Sequence, residues 1–276
     1  MVVIPIRIFI TDKTYFQLKH YDFNFDLITK KNIDYFVISN GKNIFYDTDN
    51  NKFYMLTKKN TKIWFDFNFS VIDFNEKFSN LINNVYHYSM NKLNKIFFSK
   101  DGNLYFQEKE KGSLLSGINS TIFKYSYKSE NYDIFDFVTE VFIKVLTGHY
   151  FIDGNKRTAL MLLIQLLRIF GYYFYFSDDF NLFSHFYYQP IEKELANFIE
   201  MLQQNKISHK EIKKWIYSRI ITIIEKEWLL MKDNNSRFIP WDSISEEKLL
   251  ENAKRKIDDT FNDKEFVALL KKLEKM

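Results

Sequence analysis

Between two apolar runs, "DIFDFVTEVFIKVL" and "MLLIQLLRIFGYYF", lies the stretch "GHYFIDGNKRTAL", Gly148 to Leu160. It places His149, Asp153, Asn155, Lys156 and Arg157 within nine residues. Imidazole is the side chain whose unperturbed pKa lets it accept a proton near neutrality, so His149 is a candidate general base. Asp153 offers a hard oxygen ligand of the kind Mg²⁺ takes when it shares its sphere with water and phosphate. Gly154 lets backbone approach a ligand, and Asn155 suits the N-cap of a following helix. That helix opens with Lys156 and Arg157, two cations at an end whose dipole already carries positive charge, an arrangement that costs some tenths of a kcal/mol each. An anion there removes the conflict. The pattern predicts a polyphosphate held at a helix N-terminus, a metal on its acidic side and a neutral base beside it: a phosphoryl- or nucleotidyl-transfer site.

Helices must present this loop. Phe137, Val138, Val141, Phe142 and Val145 recur at helical spacing, predicting an amphipathic helix over 133–146. A second helix is expected over 156–170, ended by Gly171. It is apolar on all sides, but Gln165, Arg168 and Gly171 argue for burial in protein rather than for a membrane span. Pro190 in a first turn, Ser208 three residues before Glu211 and Ser243 three before Glu246 mark further helix starts. Upstream, Phe74, Phe78, Leu81, Ile82 and Val85 follow helical spacing, while "NKIFFSKDGNLYFQEKEKG" reads as a hairpin turning at Asp101-Gly102. An amino-terminal meander of three or four strands is expected from "DYFVIS", "KNIFYD", "KFYMLT" and "KIWFDFNF", the first two joined at Asn40-Gly41. The start "MVVIPIRIFITDK" is too short an apolar run, interrupted by Arg7, for a signal peptide.

Whole-chain numbers narrow the classes. At 276 residues, 46% hydrophobic and with 30 Phe and 18 Tyr, the chain can bury a large core. Its formal charge of +4, from 39 basic and 35 acidic residues, lacks the footprint of a nucleic-acid binder. The absence of cysteine excludes disulfides, thiolate metal sites and thiol nucleophiles, and is compatible with a cytoplasmic location. His87, His185 and His209 have no acidic companions at metal-ligand spacing. "EEKLLENAKRKIDD" is a charged helix whose Leu249, Leu250, Ala253 and Ile257 could take a partner helix.

"HYFIDGNKR" resembles the signature of the Fic/Doc (Fido) family, and every fixed position of that signature is matched. The likeness extends upstream to "KGSLLSGINSTIF", similar to a segment of the death-on-curing (Doc) branch. It covers roughly 79–220. The division it suggests is a β-rich region over 1–78, a Fido-type helical domain with a small β-hairpin flap over 79–220, and a helical extension over 221–276, mainly α and α+β overall. By resemblance, His149 would take the proton from a target hydroxyl, Phe151 would fix the loop in the core and Asp153 would hold Mg²⁺. Gly154, Asn155 and Arg157 would bind phosphates of the substrate ATP. Lys156 stands where adenylylating members carry Gly, and Leu160 where they carry a second Arg. Both positions favour the Doc branch, in which the γ-phosphate goes to a Ser or Thr hydroxyl of a target protein, a translation factor, and growth arrests. AMP transfer, or a non-catalytic module that binds a nucleotide or partner, are the alternatives. The family's autoinhibitory pattern is broken, since Glu247 occupies the Ser/Thr place before "LLEN". A separate antitoxin is therefore expected as the restraint. Neither nucleic acid nor membrane is expected as a partner.

Overall fold

The computed structural model describes residues 2–13, 37–38, 42–47, 52–56, 59–97, 106–127, 131–174, 176, 190–204, 206–221 and 238–274. Helices dominate them. The bundle consists of α1 (Glu76–Ile96), α2 (Ser113–Ser126), α3 (Ile134–Thr147), α4 (Asn155–Ile169), α5 (Ile191–Gln203), α6 (His209–Ser218), α7 (Glu246–Phe261) and α8 (Lys264–Glu274).

Helix α4 is its axis. From Arg157 to Leu167 every residue is buried, as a helix apolar on all sides requires, and α1, α3, α7 and α8 pack around it. Burying each large aliphatic side chain there contributes about 1.5–3 kcal/mol. Its C-terminus is closed by Gly171 at φ +94, with Gly171 N–H donating to Arg168 O at 3.1 Å and Tyr172 N–H to Leu167 O at 2.8 Å. That pair of bonds is a Schellman motif, which the glycine makes accessible. Lys256 Nζ adds a bond to Ile169 O at 3.1 Å, and Arg168 reaches Thr260 Oγ1 at 2.8 Å, so α7 caps and clamps the same end.

Helix α3 starts at Asp133, whose side chain accepts from Asp136 N–H at 2.9 Å while Asp136 Oδ2 accepts from Asp133 N–H at 3.0 Å. This is a reciprocal capping box built from two aspartates. Ser208 and Glu211 form the expected box before α6. At α7 the cap is Ser245, which accepts from Lys248 N–H, and not Ser243, which lies in a 3₁₀ turn over Trp241–Ser243. Pro190 precedes α5 as its N-cap rather than sitting in its first turn. The apolar stripe of α7, Leu249, Ala253 and Ile257, is buried against α1 and α4, so the chain itself supplies the helices that cover it. No helix among the described residues is long and apolar enough to cross a membrane.

Strand β1 (Val2–Ile10) runs parallel to β5 (Lys62–Val71), in register from Val2↔Ile63 to Ile10↔Val71. Antiparallel pairs then link β5 to β4 (Lys52–Leu56), β4 to β3 (Lys42–Asp47) and β3 to β2 (Val37–Ile38). The short β8 (Phe238–Pro240) joins β5 in parallel at Phe69↔Phe238, and β6 (Tyr173–Phe174) pairs with β7 (Ile220–Ile221). The Asn40-Gly41 and Asp101-Gly102 turns lie outside the described residues. "NKI" at the start of the expected flap hairpin is instead the end of α1, a helix that runs to Ile96. Phe9 joins sheet to bundle: its N–H donates to Phe170 O at 2.9 Å and its carbonyl accepts from Tyr172 Oη at 3.1 Å.

Candidate active site

Residues 148–154 connect α3 to α4, and each position has a physical reason to be where it is. Gly148 ends α3, its N–H bonded to Lys144 O at 2.9 Å. His149 follows at φ +48, a left-handed conformation that costs a non-glycine residue about 1–2 kcal/mol and persists only where neighbours enforce it. Its side chain is exposed. The Tyr150 ring lies over two glycines. A Cβ at Gly148 would stand 2.3 Å from Tyr150 Cε2, and one at Gly117 of α2 would stand 2.7 Å from Tyr150 Oη. Desolvation in that seat raises the Tyr150 hydroxyl above its ordinary pKa.

Phe151 is buried, edge-on to Phe106 at 6.4 Å between centroids, which is the role expected of it. Both edges of its backbone strand are held. Asn155 Oδ1 accepts from Phe151 N–H and Asn155 Nδ2 donates to Phe151 O, each at 3.0 Å. On the other side Lys109 N–H donates to Tyr150 O at 2.8 Å and Ile152 N–H to Gln107 O at 3.1 Å, which sets Glu108 opposite Phe151 in an antiparallel bridge. Asn155 is thus the first residue of α4, not its N-cap, because its carboxamide is occupied by the loop.

The N-cap is Gly154, at φ +91 and without a side chain to bond the first turn. The backbone N–H groups of Asn155, Lys156 and Arg157 therefore open the helix with no side-chain cap, the arrangement that receives anions. Asp153, 65% exposed, accepts from Gly154 N–H through Oδ1 at 2.6 Å and from Arg157 Nη2 through Oδ2 at 2.7 Å. Lys156 is half-buried, whereas Arg157 is 2% exposed. The guanidinium of Arg157 sits 4.8 Å from the Phe97 ring and 4.9 Å from the Phe106 ring, with Glu274 Oε1 of α8 at 3.7 Å from Nη1. The two cations expected to face one point are divided between surface and interior.

A divalent cation fits this donor set in one way. Among the described residues no group of three or more His, Cys, Asp or Glu converges. Within the loop Asp153 offers the exposed carboxylate, so the remaining ligands of a Mg²⁺ would come from phosphate and water, the mode that ion favours.

The contiguous motif was visible in the sequence; its supports were not. Gly117 carried a signal, an isolated glycine inside the apolar helix "LLSGINSTIF". Phe106, Glu108, Tyr86 and Glu274 carried none, since only the fold brings them to the loop. Comparisons with curated proteins and with solved structures return no match. Residues 79–167, from within α1 to near the end of α4 and including the whole loop, match the model of the Fic/DOC family, whose general chemistry is nucleotidyl or phosphoryl transfer from ATP.

Proposed function

We propose that the chain is a Fido-type transferase that moves the γ-phosphate of ATP to a Ser or Thr hydroxyl of a target protein, in the manner of the Doc branch. The observation that carries the reading is the uncapped start of α4 behind Gly154, with Lys156 as its second residue and His149 exposed on the same loop. The triphosphate is received by the N–H groups of Asn155, Lys156 and Arg157 and by the Lys156 ammonium, while Gly154 turns the chain into that helix start against the Phe106 ring. The charge of Arg157 lies beneath and orients Asp153, which would hold Mg²⁺; that ion, when bound, neutralises phosphate charge. His149 takes the proton of the target hydroxyl as its oxygen bonds to the γ-phosphorus, and the bond to the β-bridging oxygen breaks to release ADP. Exposure of His149 suits a hydroxyl carried by a macromolecule.

On this reading the protein acts in the cytoplasm as a growth-arresting toxin held by a separate antitoxin. Residues 79–220 form the catalytic domain, and 1–78 and 221–276 serve as flanking regions that dock target or antitoxin.

The test uses the full chain, Mg-ATP labelled at the α or the γ position, and a cell lysate as the source of targets. Label from the γ position with a mass increase of about 80 Da on a target supports phosphate transfer; label from the α position with about 329 Da replaces it with AMP transfer. His149→Ala should lower either by at least about 10²-fold. Wild-type labelling no higher than that of His149→Ala would reduce the protein to a binding module.

A further inference from the structure

We propose that Glu108 is a positioning residue for His149, acting through a brace that joins α1, the start of α2 and the motif loop. Glu108 Oε1 accepts from Tyr86 Oη of α1 at 2.7 Å, and its Oε2 accepts from the N–H of Gly112, the N-cap of α2, at 2.5 Å. The carboxylate thereby sits where a helix N-terminus favours negative charge, and one side chain ties the 108–112 segment to two helices. Tyr86 is buried; desolvation and the neighbouring Glu108 carboxylate raise its hydroxyl far above the tyrosine range, so it stays a donor.

The braced segment is the one that grips the loop. Gln107 O and Lys109 N–H bond Ile152 and Tyr150, on either side of Phe151, and His149 is the next residue back along the chain. A left-handed histidine is a strained conformation, and strain survives only where surrounding structure over-determines it. Three fixtures do so: the Asn155 carboxamide on one edge of Phe151, the Tyr150 ring seated on Gly117 and Gly148, and the 107–109 segment on the other edge. The first belongs to the loop and α4, the second to the loop, the end of α3 and α2. The third depends on Glu108, without which 107–109 keeps its contacts to the loop and the buried Phe106 at its start but loses its ties to α1 and to the start of α2. Glu108 touches no reacting atom; it fixes the strand that fixes the base.

The exchange arm of the test stands without any enzymatic assumption, and only the kinetic arm rests on the transferase reading. Amide hydrogen exchange is followed by NMR in the full chain for Lys109 and Ile152, the two donors of the bridge, with Val138 and Leu163 as core references. In Glu108→Ala the two bridge amides should exchange roughly tenfold faster, the worth of one charge-assisted bond, while the reference amides hold their rates. Tyr86→Phe should move them less, and Glu108→Gln, which keeps one good acceptor, should fall between wild type and Glu108→Ala. In label transfer from Mg-ATP, the rate at saturating ATP should drop about tenfold with the half-saturating ATP concentration unchanged, since the N-terminus of α4 is untouched. Unchanged exchange at Lys109 and Ile152, or equal acceleration at Val138 and Leu163, overturns the brace. A wild-type chain that transfers no label removes the transferase reading, and the exchange rates then decide the brace on their own.

Discussion

A methyl group at position 154 has nowhere to go. The backbone there is left-handed, and a Cβ would stand 2.3 Å from the Phe106 ring, which itself is held against Phe97, Phe151 and the Arg157 guanidinium. Gly154→Ala should therefore cost roughly 2–5 kcal/mol in urea unfolding, from the backbone penalty together with overpacking. Measured against Phe106→Ala alone, Gly154→Ala should cost only the backbone part, so the double-mutant cycle separates the two causes. Arg157 supports a second residue-scale expectation that depends on the ATP reading. The Glu274 carboxylate, 3.7 Å from Nη1, places negative charge close to where a triphosphate would sit. Glu274→Gln should tighten ATP binding by about twofold to tenfold, the range for one partly screened charge, as measured by calorimetry on the full chain. Equal affinity in both proteins would show that the carboxylate is too far from the anion to matter.

At the scale of elements, the start of α3 is an ionic junction. Lys213 of α6 donates to Asp133 Oδ2 at 2.7 Å and to Asp136 Oδ1 at 2.6 Å, and Lys13 lies about 4 Å from both carboxylates. Burial pushes the Asp136 carboxyl up, but the Lys213 hydrogen bond, the Asp133 amide and the two lysine charges outweigh it and hold it below its usual value. A lowered pKa in the folded state contributes stability that is present above the unfolded value of about 3.9 and is lost as pH falls through the folded one. Stability measured by urea should thus decline below about pH 4, and Lys213→Met should flatten that decline while lowering stability at pH 7. Much of this level was legible. The spans of α3, α4 and α6, the stop at Gly171 and the Ser208–Glu211 box follow from periodicity and local signals. The errors have local causes too. Ser243 and Ser245 both precede glutamates, and only the 3₁₀ turn decides between them; Asp at the third helical position is an unusual box partner, so no local signal marks Asp133–Asp136. Strand β1 was unreadable for a different reason: its partner begins at Lys62, and no local pattern reports a parallel pairing that distant. The motif loop sits at the opposite extreme, with its imidazole, carboxylate and helix start in one continuous stretch.

Across the whole molecule, Trp241 gathers segments from both ends of the chain. Its ring packs on Phe9 at 5.8 Å and Phe78 at 6.1 Å, its indole N–H reaches Asn75 Oδ1 at 3.3 Å, and its carbonyl, with that of Ile244, accepts from Lys77 Nζ. Trp241→Ala should cost about 3–5 kcal/mol and should lower the midpoints seen by circular dichroism and by tryptophan fluorescence together, since the residue ties sheet, α1 and α7 into one buried cluster. Midpoints that separate would mean that the sheet and the bundle melt as independent units. The clamp on the far end of α4 has a consequence for synthesis. The ribosome delivers the motif and its helix some 90 residues before Lys256 and Thr260, the groups that complete the last turn of that helix. A nascent chain already carries the whole loop while the helix behind it is still unfinished, so the support of the motif is completed by the tail and not by the motif's own helix.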